Sequence, residues 1–187
     1  MRIGFYFDQS RCVGYYTCVV ACKEWHNVPA GSVSWRWVDT LEEGKFPIVL
    51  LAHLSLSCLH CSQPKCIPAC HSDAITKRAE DGIVVVDRER CMPNCSFCLE
   101  ACPYKAPHFG DEEGALMQKC DLYLDRLVEG RKHICVEVCP LRALDTGPLE
   151  ELERRYGTVR TATGFSDPGD TEPCIVFDPR RRDGQAC

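Results

Sequence analysis

Apolar residues in this chain come in short runs, and each run predicts a short element. Ile3-Gly-Phe-Tyr-Phe7 and Ile83-Val-Val-Val86 are rich in β-branched and aromatic residues, and each ends at an aspartate, Asp8 and Asp87, shortly before a cysteine. Both read as strands. Leu149, Leu152 and Tyr156 fall on one face of a 3.6-residue period, with Pro148 suited to a first turn and Gly157 to a stop. Leu149 to Tyr156 is therefore predicted as a helix. Leu122 to Glu129 is helical in composition and stops at Gly130. Residues 158–173, rich in Thr, Gly, Asp and Pro, read as loop, and Cys174 to Phe177 as a last strand. The longest apolar stretch, Phe46 to Leu59, is broken by Pro47, His53 and two serines. No run reaches the roughly 18 apolar residues of a membrane span.

Composition adds what the pattern does not. Hydrophobic residues make up 45% and charged residues 26% of the 187 residues, a soluble globular balance. The net charge of -5 leaves no basic footprint for nucleic acid; Arg180, Arg181 and Arg182 read as a solvated terminus. The first residues, Met1 to Asp8, hold no long apolar segment and no twin-arginine pair before one, so no signal peptide is expected.

Cysteine changes the picture most. There are 16 in 187 residues, about 9%, a level otherwise met in disulfide scaffolds and metal proteins. They form four clumps: Cys12, Cys18, Cys22; Cys58, Cys61, Cys66, Cys70; Cys91, Cys95, Cys98, Cys102; and Cys120, Cys135, Cys139. Cys174 and Cys187 stand apart and are expected to be free thiols. Every clump ends in C-x-x-x-C, and Cys102-Pro-Tyr-Lys-Ala106 matches Cys139-Pro-Leu-Arg-Ala143. The clumps read as copies of one cluster-binding unit.

A cubane cluster needs four thiolates around a small body. A tight loop of C-x-x-C-x-x-C supplies three, and the last cysteine of such a run typically ligates the other cluster of a pair. Four clumps then make two pairs and up to four clusters. Zinc sites use two C-x₂₋₄-C pairs per metal and fit these runs poorly, and a disulfide scaffold is usually a short secreted chain. No phosphate loop or dinucleotide fingerprint is present.

At these motifs the chain resembles the iron–sulfur electron-transfer (beta) subunit of the dimethyl sulfoxide reductase family of molybdopterin oxidoreductases, of the four-cluster ferredoxin type. The likeness runs from Ile3 through Pro179 and is carried by CVVACKEWHNVP from Cys18, DGIVVVD at 81–87, ACPYKAPHF at 101–109 and ICVEVCPLRALDTGPLEEL at 134–152. The resemblance implies an α+β fold of two ferredoxin-like modules, one inserted in the other. Residues 1–53 with 111–187 would carry clumps one and four, and 54–110 clumps two and three. It also implies the ligand sets. Cys58, Cys61, Cys66 and Cys102 would hold one [4Fe–4S] cluster, and Cys91, Cys95, Cys98 and Cys70 another.

The remaining pair departs from the family pattern. Its members have a cysteine where Tyr15 and Tyr123 stand here. One site keeps Cys12, Cys18 and Cys139, the other Cys120, Cys135 and Cys22. Three thiolates suffice for a [3Fe–4S] cluster, or for a [4Fe–4S] cluster with another fourth ligand; either site can also be empty. Phenolate binds iron in catalase haem, so the tyrosines are ligands or bulky fillers, and filler is favoured because thiolate is the usual ligand. Cys91-Met-Pro-Asn-Cys95 is one residue longer than usual, so the loop must differ locally. His71 stands where the family often has proline after Cys70. His60 and His71 can tune a cluster by hydrogen bonding, although ordinary loop histidines are the simpler reading. Trp25, Trp35 and Trp37 are expected to pack the core or a partner face.

The implied function is electron relay without bond-making on a substrate. The partners would be a molybdenum or tungsten pterin catalytic subunit, with a membrane anchor or a soluble redox partner at the other end; a free-standing polyferredoxin shuttle is the alternative. The location would be cytoplasmic, or across the membrane in the company of a partner.

Overall fold

The computed structural model describes residues 1–180. Cys187, Arg181 and Arg182 lie outside the described residues.

The buried centre is β1 (Ile3–Asp8), all six residues of which are inaccessible. It lies between β6 (Leu144–Pro148), antiparallel to it, and β7 (Ile175–Asp178), parallel to it, in a three-stranded sheet that joins the two ends of the chain. Strand side chains alternate between faces. Tyr6 turns to one side and meets Leu149, Leu152 and Tyr156 of α5 (Leu149–Tyr156), its ring stacked 3.7 Å from that of Tyr156. Ile3, Phe5 and Phe7 turn to the other side and enter the main core with Cys18, Cys22, Cys120 and Cys135. Gly4 must be glycine: a Cβ there would meet the Cys174 carbonyl oxygen at 2.5 Å.

The other elements are short. β2 (Arg36–Lys45) and β3 (Ile48–Ser57) form an antiparallel ribbon with Arg36 opposite Ser57 at its base and Phe46 and Pro47 at its tip. β4 (Ile75–Lys77) pairs with β5 (Val84–Val86). The helices α1 (Thr17–Trp25), α2 (Phe97–Ala101) and α4 (Ile134–Glu137) each start at or just before the first cysteine of a C-x-x-x-C. A four-residue step along a helix turns two side chains to the same face, so each helix or helix end presents two thiols to one side.

The chain is therefore a mixed α and β structure, and the strands expected near Ile3, Ile83 and Cys174 and the helix at Leu149 are all present. One expectation changes, and one stretch left without an element gains one. The helix expected from Leu122 is only α3 (Leu124–Val128), because Leu122 and Tyr123 adopt left-handed φ values of 59° and 51° that no helix tolerates. The broken apolar stretch Phe46 to Leu59 is mostly strand. Alternation is hard to see there because only the base of the ribbon is buried, at Arg36, Val38, Ala52, Leu54 and Leu56.

Candidate metal centre

The backbone repeats more faithfully than the side chains do. The residue just before the second position of each clump is left-handed in all four: Gly14 at φ 71°, His60 at 44°, Asn94 at 58° and Leu122 at 59°. Cys61, Cys95, Tyr15 and Tyr123 follow them and so occupy equivalent points of one turn. Gly14 is required twice over, since a Cβ there would also meet the His53 ring at 2.7 Å. At Asn94, the extra residue of the Cys91 loop is tied down by the Gly114 N–H, which donates to its Oδ1 at 3.3 Å.

A second turn recurs after the last cysteine of three clumps. Asp73, Lys105 and Arg142, each three residues on, have φ values of 52°, 53° and 53°. Their N–H groups donate to the carbonyls of Cys70, Cys102 and Cys139 at 3.2, 3.1 and 3.2 Å. A buried alanine follows each, Ala74, Ala106 and Ala143. The turn aims backbone N–H groups at sulfur: Ala143 N–H donates to Cys139 Sγ at 3.3 Å. Burial opposes the Cys70 thiolate, yet the Ser72 hydroxyl and the N–H groups of Ile75, Ala74 and Ser72 hold its thiol below the ordinary range.

These turns and helices bring the cysteines into four groups. Cys58, Cys61, Cys66 and Cys102 line one cavity of about 340 Å³, open mouth included. Burial and the neighbouring Cys58, Cys102 and Cys98 push the Cys66 thiol up to about 12. Cys98 is pushed up to about 11 by burial and by Cys91, Cys95 and Cys70 beside it. Cys12, Cys18 and Cys139 line another hollow together with Tyr15, Val38 and Leu141. Cys22, Cys120 and Cys135 surround Tyr123, with Cys22 pushed up to about 11, chiefly by burial.

The two tyrosines differ. Tyr15 is 66% exposed at the mouth of its hollow. Tyr123 is 1% exposed, and its hydroxyl has no hydrogen-bond partner of good geometry. Burial first, then Cys135, Cys22 and Cys120, raises its phenol far above the ordinary range. Its ring sits 4.8 Å from His26 and 5.5 Å from His133.

Other singled-out residues fall into place around these groups. His60 is buried, accepts the Val84 N–H at Nδ1 and leaves Nε2 unpartnered. His71 is exposed, with its ring 4.7 Å from Phe97. Trp25 Nε1 donates to Asp125 at 2.9 Å and Trp35 Nε1 to Gln118 at 2.9 Å, while Trp37 Nε1 reaches Asp39 at 3.2 Å. Cys174 is a buried free thiol on the edge of β7. Three buried cations escaped sequence reasoning: Lys119, Arg36, and Arg126, which pairs with Glu137. Lys119 donates to the carbonyls of Val84 and Cys120. Arg36 donates to Ser55 Oγ at 3.1 Å and Ser57 Oγ at 3.0 Å. Nothing in their local sequence marks any of them as buried.

The donor chemistry fits iron–sulfur clusters. Every described cysteine is a free thiol. Several buried thiols at one point repel one another once ionised and stay protonated unless a multiply charged metal core compensates them.

A family profile described as the 4Fe–4S dicluster domain matches residues 49–149. A polypeptide of anaerobic dimethyl sulfoxide reductase from Escherichia coli strain K12 is 42% identical over 186 residues, covering 95% of this chain and 89% of that protein. The formate dehydrogenase iron–sulfur subunit of Wolinella succinogenes is 36% identical over 81% of this chain and 84% of its own length. The thiosulfate reductase electron transfer subunit of Salmonella typhi is 36% identical over 78% of this chain and 76% of its own length.

Proposed function

This protein belongs to the 4Fe–4S dicluster family and to the iron–sulfur subunits of reductases such as anaerobic dimethyl sulfoxide reductase, and from that premise we propose that it relays single electrons between a molybdenum or tungsten pterin catalytic subunit and a second redox partner. Bound clusters would supply the one-electron chemistry. Cys58, Cys61, Cys66 and Cys102 would hold one [4Fe–4S] cluster, and Cys91, Cys95, Cys98 and Cys70 another. Cys12, Cys18 and Cys139, and Cys22, Cys120 and Cys135, would hold two more of [3Fe–4S] or modified [4Fe–4S] type. Tyr15 and Tyr123 stand at the second ligand position of that pair, and the left-handed residue before each supports this register.

The observation that carries the reading is the crossing of ligands. Each group draws on two clumps distant in sequence, which ties 1–53 to 111–187 and closes 54–110 on itself. That supports the nested two-module arrangement, with β3 running from one module into the other. Neighbouring groups also adjoin one another, which supports a relay in series: Cys18 lies close enough to Cys135 to raise its thiol, Lys119 donates to the Cys120 carbonyl and favours the Cys66 thiolate, and Cys98 raises the Cys66 thiol. The outer groups open toward the surface beside Val13, Tyr15 and Leu141 at one end and Met92 and Phe97 at the other, all exposed.

A relay has to dock. Phe46 is 93% and Ile48 83% exposed at the ribbon tip, next to exposed Val49 and Leu51. Such an apolar tip favours a subunit over a shuttle. Among the described residues no helix is long and apolar enough to cross a membrane.

The test is anaerobic purification under mild conditions, followed by reduction and then addition of the catalytic partner's oxidised substrate. Co-purification with a large pterin subunit, and visible absorption that bleaches on reduction and returns with that substrate, are expected. A chain that purifies alone, loaded with iron, and trades electrons only with soluble carriers would make it a polyferredoxin. A colourless, iron-free chain would refute the reading outright.

A further inference from the structure

Arg36 opens β2 at the base of the ribbon and is 2% exposed. Its guanidinium is charged at any working pH. Its Nη1 and Nη2 donate to Ser55 and Ser57, which are neutral, and its Cζ lies 4.7 Å from the centroid of the Phe5 ring. No aspartate or glutamate pairs with it among the described residues, although the neighbouring buried cation Arg126 has Glu137. Burying an unpaired charge is costly, and a cation–π contact returns only part of that cost. A negative group is missing from this account of Arg36.

The surroundings say where that group belongs. Ser55 Oγ, which accepts from Arg36, is also 3.7 Å from Cys18 Sγ. On the other side, the Phe5 ring under the guanidinium lies 5.8 Å from the His133 ring, itself 5.5 Å from Tyr123, in one buried cluster with Cys18, Cys22, Cys120 and Cys135. These four cysteines come from both of the groups that carry Tyr15 and Tyr123. A cluster held by thiolates is an anion, and net charge is one of the levers on its potential.

We infer that Arg36 is the common counter-charge of anionic clusters seated in both tyrosine-bearing sites, a positioning residue that helps hold them and raises their reduction potentials. Both sites are therefore filled. The guanidinium favours the more negative, reduced state of whichever cluster it faces, so it makes both easier to reduce. The inference rests on the ligand reading given above.

The test compares the native holoprotein with Arg36→Gln and Arg36→Lys. The readouts are iron and acid-labile sulfide per chain and midpoint potentials followed by electron paramagnetic resonance. In Arg36→Gln the signals of the tyrosine-bearing pair are expected to become at least tenfold harder to reduce, which is about 59 mV lower for one electron, or that pair's iron is lost. The signals of the Cys58 and Cys91 sites should stay in place, and Arg36→Lys should keep the iron and most of the potential. Four results would overturn the inference: unchanged potentials and iron in Arg36→Gln; an equal shift at all sites; equal iron loss in both variants, which would mean shape and not charge; or native protein with iron only in the four-thiol sites. Native protein with no iron anywhere would instead refute the cluster-carrier reading itself.

Discussion

Clumps two and three hold four cysteines each while clumps one and four hold three, and the protein around the Cys91 and Cys22 groups differs as well. Around Cys70, Cys91 and Cys98 the packing is thin: a ribbon of three residues per strand, with Ile75, Val84 and Met117 as its buried apolar members. Around Cys22, Cys120 and Cys135 lie the three-stranded sheet, the main core, a buried tyrosine, two buried arginines and the His26 and His133 rings. The Cys58 group shares the main core, so the thin packing belongs to the Cys91 group alone, where bound metal would supply folding free energy. At the Cys22 group, which has three thiols in the proposed scheme, side-chain packing and fixed charge would take over part of the task.

Removing metal should sharpen that contrast most. Stripping iron anaerobically, or replacing Cys98 by Ala, is expected to abolish hydrogen-exchange protection of the β4–β5 amides while β1 keeps a large part of its own. Cys61→Ala and Cys98→Ala should each lose about four irons per chain, one cubane, and give poorly soluble protein. If both variants keep full iron content and normal protection, the ligand assignment fails.

A smaller effect separates the tyrosines. Tyr123→Ala empties a buried aromatic site and should cost about 3–5 kcal/mol. Tyr15→Ala changes an exposed residue and should stay within about 0.5 kcal/mol. Denaturant midpoints on anaerobic protein measure both, and equal costs would mean that the two sites are built alike.

The smallest effect belongs to the sheet side. Burial works against the Asp145 carboxylate, but donation from Lys132 Nζ at 3.0 Å, the Tyr156 hydroxyl at 2.8 Å and the Thr146 N–H at 2.9 Å holds its carboxyl below the usual range. With the folded value depressed, the stability it contributes is full above the unfolded pKa of about 3.9 and is lost as pH falls through the folded value. Asp145→Asn should therefore cost about 1–3 kcal/mol, constant from pH 8 to about 5, the gap from wild type closing only at more acid pH. Unfolding curves across that range decide it; a gap that widens on acidification has the wrong sign.

The cluster chemistry was legible because cysteine spacing is local and thiolate chemistry is specific. Leu149 to Tyr156 was legible because one apolar face and a stop are also local signals. What stayed hidden depends on tertiary placement. Tyr15 and Tyr123 look equivalent in sequence and share a backbone turn, yet one faces solvent and the other is walled in by His26, His133 and three thiols. The turn after Cys70 repeats those after Cys102 and Cys139 although His71-Ser72-Asp73 shares no residue with Pro-Tyr-Lys or Pro-Leu-Arg. Arg36 sits among charged and aromatic neighbours in sequence, and only the pairing of Arg36 with Ser57 across the ribbon buries it.

The most direct measurement is electron paramagnetic resonance, with iron and labile sulfide counted per chain, on the anaerobic native protein and on the double variant Tyr15→Cys, Tyr123→Cys. Two ordinary [4Fe–4S] clusters are expected alongside two of different type and potential, and the double substitution should convert the latter to ordinary four-iron signals. Four ordinary [4Fe–4S] clusters in the native protein, with neither iron count nor spectrum changed by the double substitution, would contradict the division of this chain into a four-thiol pair and a three-thiol pair.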